Sequence, residues 1–68
     1  MPVAKVIELI SRSDVSFEDA IQKALEDAKK SIRNIRKVKV MDLEAIIEND
    51  ILVAYQVTVK VTFEIERE

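Results

Sequence analysis

Residues 51–66 read I-L-V-A-Y-Q-V-T-V-K-V-T-F-E-I-E and form the most regular stretch of the chain. Apolar residues alternate with mostly polar ones, and this period of two is typical of a β-strand with one buried face. At roughly 3.3 Å per residue such a strand is about 50 Å long. A single buried face is predicted for its odd-numbered residues, which are Ile51, Val53, Tyr55, Val57, Val59, Val61, Phe63 and Ile65.

Upstream of this strand, residues 17–35 have the pattern of an amphipathic helix. Their apolar residues recur at spacings of three and four and form one stripe: Phe17, Ala20, Ile21, Ala24, Leu25, Ala28, Ile32 and Ile35. Ser16 is the predicted N-cap, and Glu18 and Asp19 place negative charge in the first turn, where the helix dipole favours it. A helix of about 18 residues spans only about 27 Å. It is therefore too short to cover the strand at residues 51–66.

Two more strands complete the predicted fold. Residues 3–10, V-A-K-V-I-E-L-I, are short and aliphatic, which favours a strand that ends at the serines of residues 11–13. After Asn34 a second strand is predicted, with a β-bulge where the alternation slips between Val40 and Asp42. Residues 48–50, E-N-D, predict a hairpin turn because Asn and Asp tolerate positive φ. The order β-α-β-β indicates an α+β fold, a three-stranded antiparallel sheet partly wrapped around one helix.

The length and composition favour self-association. A chain of 68 residues with 11 basic and 13 acidic side chains fits one domain, residues 1–68. A monomer of this size buries only roughly 60% of the surface that its unfolded chain exposes. The sequence has no Cys and no His, so neither disulfides nor the usual zinc sites can add stability. Apolar residues that the helix leaves uncovered need another surface, and a symmetric homo-oligomer supplies one.

The same absences narrow the possible functions. Without Cys and His there is no nucleophile–histidine pair, and without Gly there is no phosphate-binding loop. We therefore predict a protein that is not an enzyme. No apolar run approaches the roughly 20 residues that span a bilayer, and the N-terminus lacks a signal-peptide pattern, so a cytoplasmic location is expected. Two Asn and two Gln among many Lys, Arg and Glu are compatible with a thermophilic source.

Three segments give the chain a family resemblance: V-I-E-L-I at residues 6–10, S-F-E-D-A-I-Q-K-A-L at residues 16–25 and Y-Q-V-T-V-K-V-T-F-E at residues 55–64. In β-α-β-β order within under 70 residues, they resemble the dodecins. The resemblance covers nearly the whole chain. It implies a hollow, spherical homododecamer that binds or stores small ligands, with flavins as the ligands of the best-known members.

The resemblance also implies a ligand pocket. The Gln that hydrogen-bonds flavin in the family matches Gln56, and the Trp that stacks on flavin falls on Lys37. Basic residues of some members match Glu44 and Glu64, so the charge is reversed there. Because this chain contains no Trp, it lacks a stacking contribution of about 0.5–1.5 kcal/mol per aromatic pair. Gln56, Lys37 and Glu44 are therefore candidate residues for an unidentified small ligand. There are two alternatives to this interpretation. The site binds a flavin (riboflavin or FMN) in an altered pocket, or Gln56 is only solvated and binds no ligand.

The acidic C-terminal end is a candidate cation site. Glu64 and Glu66 alternate, so both point to one side of the strand. Around a symmetry axis, copies of these carboxylates would converge and could hold Ca²⁺ or Mg²⁺ through oxygen atoms. Salt bridges to basic residues of a neighbouring subunit are the alternative, and the sequence leaves both open: Lys60, Arg67 or Arg36. A structural or calcium-binding assembly is thus the second predicted function.

A basic cluster follows the helix. It has six basic residues in eleven positions with no acid among them: Lys29, Lys30, Arg33, Arg36, Lys37 and Lys39. Such cations complement the negative end of a helix dipole, or they bind a polyanion. No aromatic residue lies between them to stack on bases, and the net charge of the chain is −2. Nucleic acid is therefore not an expected partner.

Overall fold

The computed structural model describes residues 3–65, which form one helix and three strands. In chain order these are β1 (Val3–Ser13), α1 (Phe17–Lys29), β2 (Ile35–Glu48) and β3 (Ile51–Ile65). β3 lies in the centre of the sheet and pairs antiparallel with both β1 and β2. The predicted β-α-β-β order and antiparallel sheet are confirmed. In the described part of the chain no helix has the length and hydropathy needed to cross a membrane.

The core lies between α1 and the face of the sheet that the helix covers. We call this the concave face and the opposite one the convex face. Val57, Val59 and Val61 of β3 are fully buried, and they face three alanines of α1, Ala20, Ala24 and Ala28. Small residues on the helix let its backbone approach the β-branched valines closely. Partly buried apolar residues surround this contact, and Phe17 packs edge-to-face on Tyr55 with ring centroids 5.0 Å apart. The predicted alternation of β3 is confirmed for residues 55–63.

The first strand and the helix differ from their predicted ends. β1 continues through Ser13 because Ser11, Arg12 and Ser13 pair with the long central strand. The helix ends at Lys29, before Ile32 and Ile35 of the predicted stripe. The N–H groups of Ser31 and Ile32 turn back onto the carbonyl oxygen of Ala28, and the chain then reverses. Ile32 and Ile35 still pack against the core, but they do so from the connection and from β2.

The hairpin between β2 and β3 turns at Asn49 and Asp50, whose φ angles are 51° and 64°. Positive φ at both central positions is what a two-residue type I′ turn requires, and it confirms the predicted turn. The predicted β-bulge between Val40 and Asp42 is also present. A further register shift, between Ile46 and Ile47, places an extra residue, Val53, in β3.

The bulge at Val53 reverses the faces of β3 near the turn. Ile46 pairs with Ala54 whereas Ile47 pairs with Leu52, and residues directly opposite each other share a face. Leu52 therefore lies on the concave side with Val57, and Ile51 lies on the convex side. The prediction that Ile51 shares the buried face was wrong, because an added residue shifts the period-two pattern by one.

The helix leaves the hairpin end of the sheet bare. The molecule is 54 Å long, whereas the 13 residues of α1 span only about 20 Å. Beyond the helix, three residues of the concave face are about half exposed: Leu43, Ile47 and Leu52, at 57%, 54% and 45%. We call these three residues the hairpin patch. The sequence predicted that the helix is too short to cover the long strand. The hairpin patch is apolar surface that the helix leaves uncovered for this reason.

The start of α1 is fixed by a small polar network. The Ser16 side chain accepts a hydrogen bond from the Asp19 N–H at 2.9 Å, which confirms Ser16 as the N-cap. The buried Ser13 hydroxyl donates to the Asp19 carboxylate and accepts from the N–H groups of Val15 and Ser16. Lys23, one turn along the helix, lies 3.4 Å from the same carboxylate. Asp19 thus connects the end of β1 with the first turn of the helix.

This network predicts a pH dependence of stability. The hydrogen bond from Ser13 is the largest effect on the Asp19 carboxyl and lowers its pKa below the usual 3.8; burial opposes this shift, and the hydrogen bond and charge of Lys23 lower the pKa further. Because its folded-state pKa is depressed, the Asp19 carboxylate stabilises the folded protein at pH values above its unfolded-state pKa. This stabilisation is lost as the pH falls through the folded-state pKa. Asp19→Asn should therefore lower the melting temperature near pH 7, and the difference from wild type should shrink below about pH 4. Circular-dichroism melts across pH 2–8 check this; a difference that stays constant contradicts it.

Candidate functional site

The candidate ligand residues lie on the convex face of the sheet, opposite the helix. Gln56 of β3 pairs with Arg12 of β1 on one side and with Glu44 of β2 on the other. Directly opposed residues of neighbouring strands share a face, so the three side chains form one row across the sheet. We call Arg12, Gln56 and Glu44 the polar row. The even-numbered period of β3, which alternates with the buried valines, is what directs Gln56 outward.

Hydrogen bonds order the polar row. Arg12 Nε donates to Gln56 Oε1 at 2.6 Å, and Gln56 Nε2 donates to Glu44 Oε1 at 3.5 Å. A guanidinium donor on one side and a carboxylate acceptor on the other thus fix which way the amide points. Gln56 is half-buried, while Arg12 and Glu44 are exposed. The row presents charged and amide groups of both signs to a polar ligand.

Arg12 is the member of this row that was not predicted. The sequence assigned residues 11–13 to a break after β1, so Arg12 had no strand position. The only signal that could have found it is register: extending β1 along β3 places Arg12 opposite Gln56. That extension depends on the length of the partner strand, which is a tertiary property.

Lys37 lies far from the polar row within one protomer. It pairs with Thr62, six positions along β3 from Gln56, which is about 20 Å at roughly 3.3 Å per residue. Lys37 is exposed and shares the convex face with Gln56. The structure therefore brings Gln56 and Glu44 together but does not bring Lys37 to them.

The acidic end of β3 has a cationic neighbour in the same chain. Arg36 Nε lies 2.7 Å from Glu64 Oε1, and the Glu64 N–H donates to the carbonyl oxygen of Asn34. Of the two carboxylates that the sequence singled out, Glu66 lies outside the described residues. Within residues 3–65 there is no group of three or more acidic, His or Cys side chains placed to hold a metal ion.

The basic cluster surrounds the end of the helix. Lys29 and Lys30 close α1, Arg33 lies in the connection, and the remaining three residues begin β2: Arg36, Lys37 and Lys39. Lys30 lies 3.9 Å from Asp27, an exposed pair on the helix surface. Pairs of this kind contribute little to stability. Cations at this end of α1 complement its dipole, in line with the first of the two predicted interpretations.

A three-stranded antiparallel sheet, one helix across part of its concave face and an apolar hairpin left bare define a small α+β protomer of the dodecin type. The dodecin family model matches residues 3–66. A curated relative, calcium dodecin of Mycobacterium tuberculosis, is 30% identical over 63 residues, which are 93% of this chain and 89% of the relative. This chain therefore belongs to the dodecin family.

Solved structures agree with this assignment. A structure from Thermus thermophilus is 32% identical, with a TM-score of 0.92 and full coverage of both chains. A Thermus thermophilus dodecin variant with one arginine replaced by alanine is 33% identical, with a TM-score of 0.91 over 98% of this chain and all of that one. The crystal structure of the Mycobacterium tuberculosis calcium dodecin, 27% identical, has a TM-score of 0.83 over 97% of this chain and 94% of that one.

Proposed function

We propose that the protein is a non-catalytic, small-ligand-binding assembly, a hollow shell of twelve copies of this chain. The observation that carries the proposal is the hairpin patch, three concave-face residues that are about half exposed in a single protomer. A second copy of the chain can cover this exposed apolar area and so remove it from water. Membership of the dodecin family supports the same arrangement.

The ligand site of this proposal lies between subunits. Among residues 3–65 of one protomer no element packs against the polar row, since the helix packs on the other face of the sheet. Lys37 is about 20 Å away along the strand, so it reaches a ligand at Gln56 only from a symmetry-related subunit. Native mass spectrometry tests the assembly directly. The expected mass is twelve times the 7.8 kDa of one chain, and a stable monomer at micromolar concentration contradicts the proposal.

Flavin is not the ligand that the residues of this site favour. The family's stacking position holds Lys37, and two positions that are basic in some members hold Glu44 and Glu64. A Lys ammonium offers no flat apolar surface to an isoalloxazine ring, and carboxylates repel a flavin phosphate. The Arg12 guanidinium and the Gln56 amide, joined at 2.6 Å, instead suit a ligand with several hydrogen-bonding oxygen or nitrogen atoms.

A substitution at Lys37 tests this interpretation. Wild-type protein should leave riboflavin fluorescence nearly unchanged at micromolar concentration, whereas Lys37→Trp should strengthen flavin binding roughly two- to twelvefold through ring stacking. Lys39→Trp is the matched control, because Lys39 lies on the same strand and the same face, opposite Lys60. Fluorescence titration with riboflavin measures both variants. Equal gains in the two variants, or tight binding by wild type, would contradict the assigned role of position 37.

Calcium binding is the second candidate function, and the relative known as calcium dodecin is the observation that favours it. The described residues of one protomer offer no metal cluster, so this proposal places Glu64 and Glu66 of several subunits around one ion. Calcium that binds the folded state should raise the melting temperature, and a chelator should reverse the rise. A melting temperature that neither Ca²⁺ nor EDTA changes contradicts this function.

A further inference from the structure

A cavity of about 610 Å³ opens between the C-terminal half of α1, the connection to β2 and the start of β2. Its floor is apolar and consists of Leu25, Ile32, Ile35 and Val38. All four of these residues are only partly buried. The cavity therefore holds apolar surface that the fold itself leaves accessible to a ligand.

The cavity lies where the helix ends and the chain reverses. The helix stops at Lys29, and the chain reverses at Asn34, whose φ is 61°. The N–H groups of Lys30, Ser31 and Ile32, which close the helix, donate to the carbonyl oxygens of Asp27 and Ala28. Because those carbonyls are bonded, the negative end of the helix dipole is partly neutralised beside the cavity.

The rim of the cavity is cationic. Lys29, Arg33, Arg36 and Lys37 line it and are exposed, and none of the described lining residues is acidic. Glu64 contacts Arg36 through Nε at 2.7 Å and is not itself among the lining residues. An apolar floor under several cations matches a molecule with an apolar body and one anionic end.

We propose that this cavity binds a small amphiphilic anion, with its carbon chain on the floor and its carboxylate or phosphate between Lys29 and Arg33. This inference goes beyond the proposed function, because the cavity is built within one protomer and lies away from the polar row of that protomer; the two sites share only Lys37 among the residues named for them. Charge complementarity argues for a small anion over the same surface of a second copy, which carries the same four cations.

The probe for the test is decanoate, measured by isothermal titration calorimetry with the intact protein at low salt. Saturable binding is expected, and decyltrimethylammonium, which has a similar chain but the opposite charge, should bind at least tenfold more weakly. The double variant Lys29→Gln, Arg33→Gln should weaken decanoate binding tenfold or more. Its matched control, Lys5→Gln, Lys30→Gln, removes the same charge from exposed positions outside the cavity and should stay within twofold of wild type.

Ile32→Trp, which fills the floor, should reduce decanoate binding with the cationic rim intact, and Gln56→Ala should leave it unchanged. If Gln56→Ala, and none of the cavity variants, abolishes decanoate binding, decanoate binds at the polar row and the proposed cavity site is wrong. Equal binding of the anion and the cation, or equal losses in the two double variants, would also overturn the proposal. A fall in native mass for Lys29→Gln, Arg33→Gln without a change in decanoate affinity would identify the cavity as a subunit interface instead.

Discussion

Leu43→Glu is expected to break the proposed assembly. Leu43 is 57% exposed on the concave face beyond the helix, and it pairs with the fully buried Val57. Burying a Leu side chain contributes about 2 kcal/mol, and a symmetric shell repeats this contribution in every subunit. A carboxylate at the same place also carries a desolvation cost if a neighbour covers it. The native mass of the variant should therefore fall from that of the proposed twelve-chain assembly to that of one or a few chains at micromolar concentration.

The control for this prediction is Ser31→Glu, which adds the same charge at an exposed position at the end of the helix. Native mass spectrometry and size-exclusion chromatography measure both variants at the same concentration. The control should keep the wild-type mass. If Leu43→Glu also keeps the wild-type mass, the hairpin patch does not lie at a subunit contact. The patch then no longer supports the proposed assembly.

Val59→Asp is expected to abolish folding. Val59 is fully buried between Val57 and Val61 and faces the alanines of α1, and every buried member of this core is apolar. An unpaired buried charge costs about 3–5 kcal/mol. A chain of 68 residues has a free energy of unfolding of only about 3–10 kcal/mol at the usual value per residue. The variant should therefore lose its cooperative thermal transition.

The matched control is Thr62→Asp on the same strand. Thr62 belongs to the opposite face and pairs with Lys37, whose positive charge suits a cross-strand carboxylate. Circular dichroism of both variants between 20 and 95 °C distinguishes the two faces. A cooperative transition in Val59→Asp close to that of wild type would mean that Val59 is not in the core, and the register of β3 would then be wrong.

The features predicted correctly depend on residues that are near each other in the sequence. Ser16 caps the helix because its own side chain reaches the Asp19 N–H. Asn49 and Asp50 form the turn because both tolerate positive φ. The alternation at residues 55–63 places Val57, Val59 and Val61 in the core. In each case the information lies within a few residues, so a pattern was enough to find it.

The features that were missed depend on partner strands. The bulge at Val53 turned Ile51 to the other face, and it is visible only as a register shift against Ile46 and Ile47. Arg12 joined Gln56 because β3 is long enough to extend β1. The candidate site was therefore predicted in part: Gln56 and Glu44 lie together, whereas Lys37 does not reach them in one chain.

By itself, the sequence determined the strand–helix order, the hairpin turn, the apolar face of the core and the mismatch between a long strand and a short helix. Periodicity, capping and turn chemistry are local, and each was visible in the residues concerned. Only the tertiary structure decided which residues form the hairpin patch, which three side chains form the polar row and where a cavity opens beside the end of α1. Those features depend on strand register, on bulges and on the point where the helix stops, which follow from pairing between distant segments.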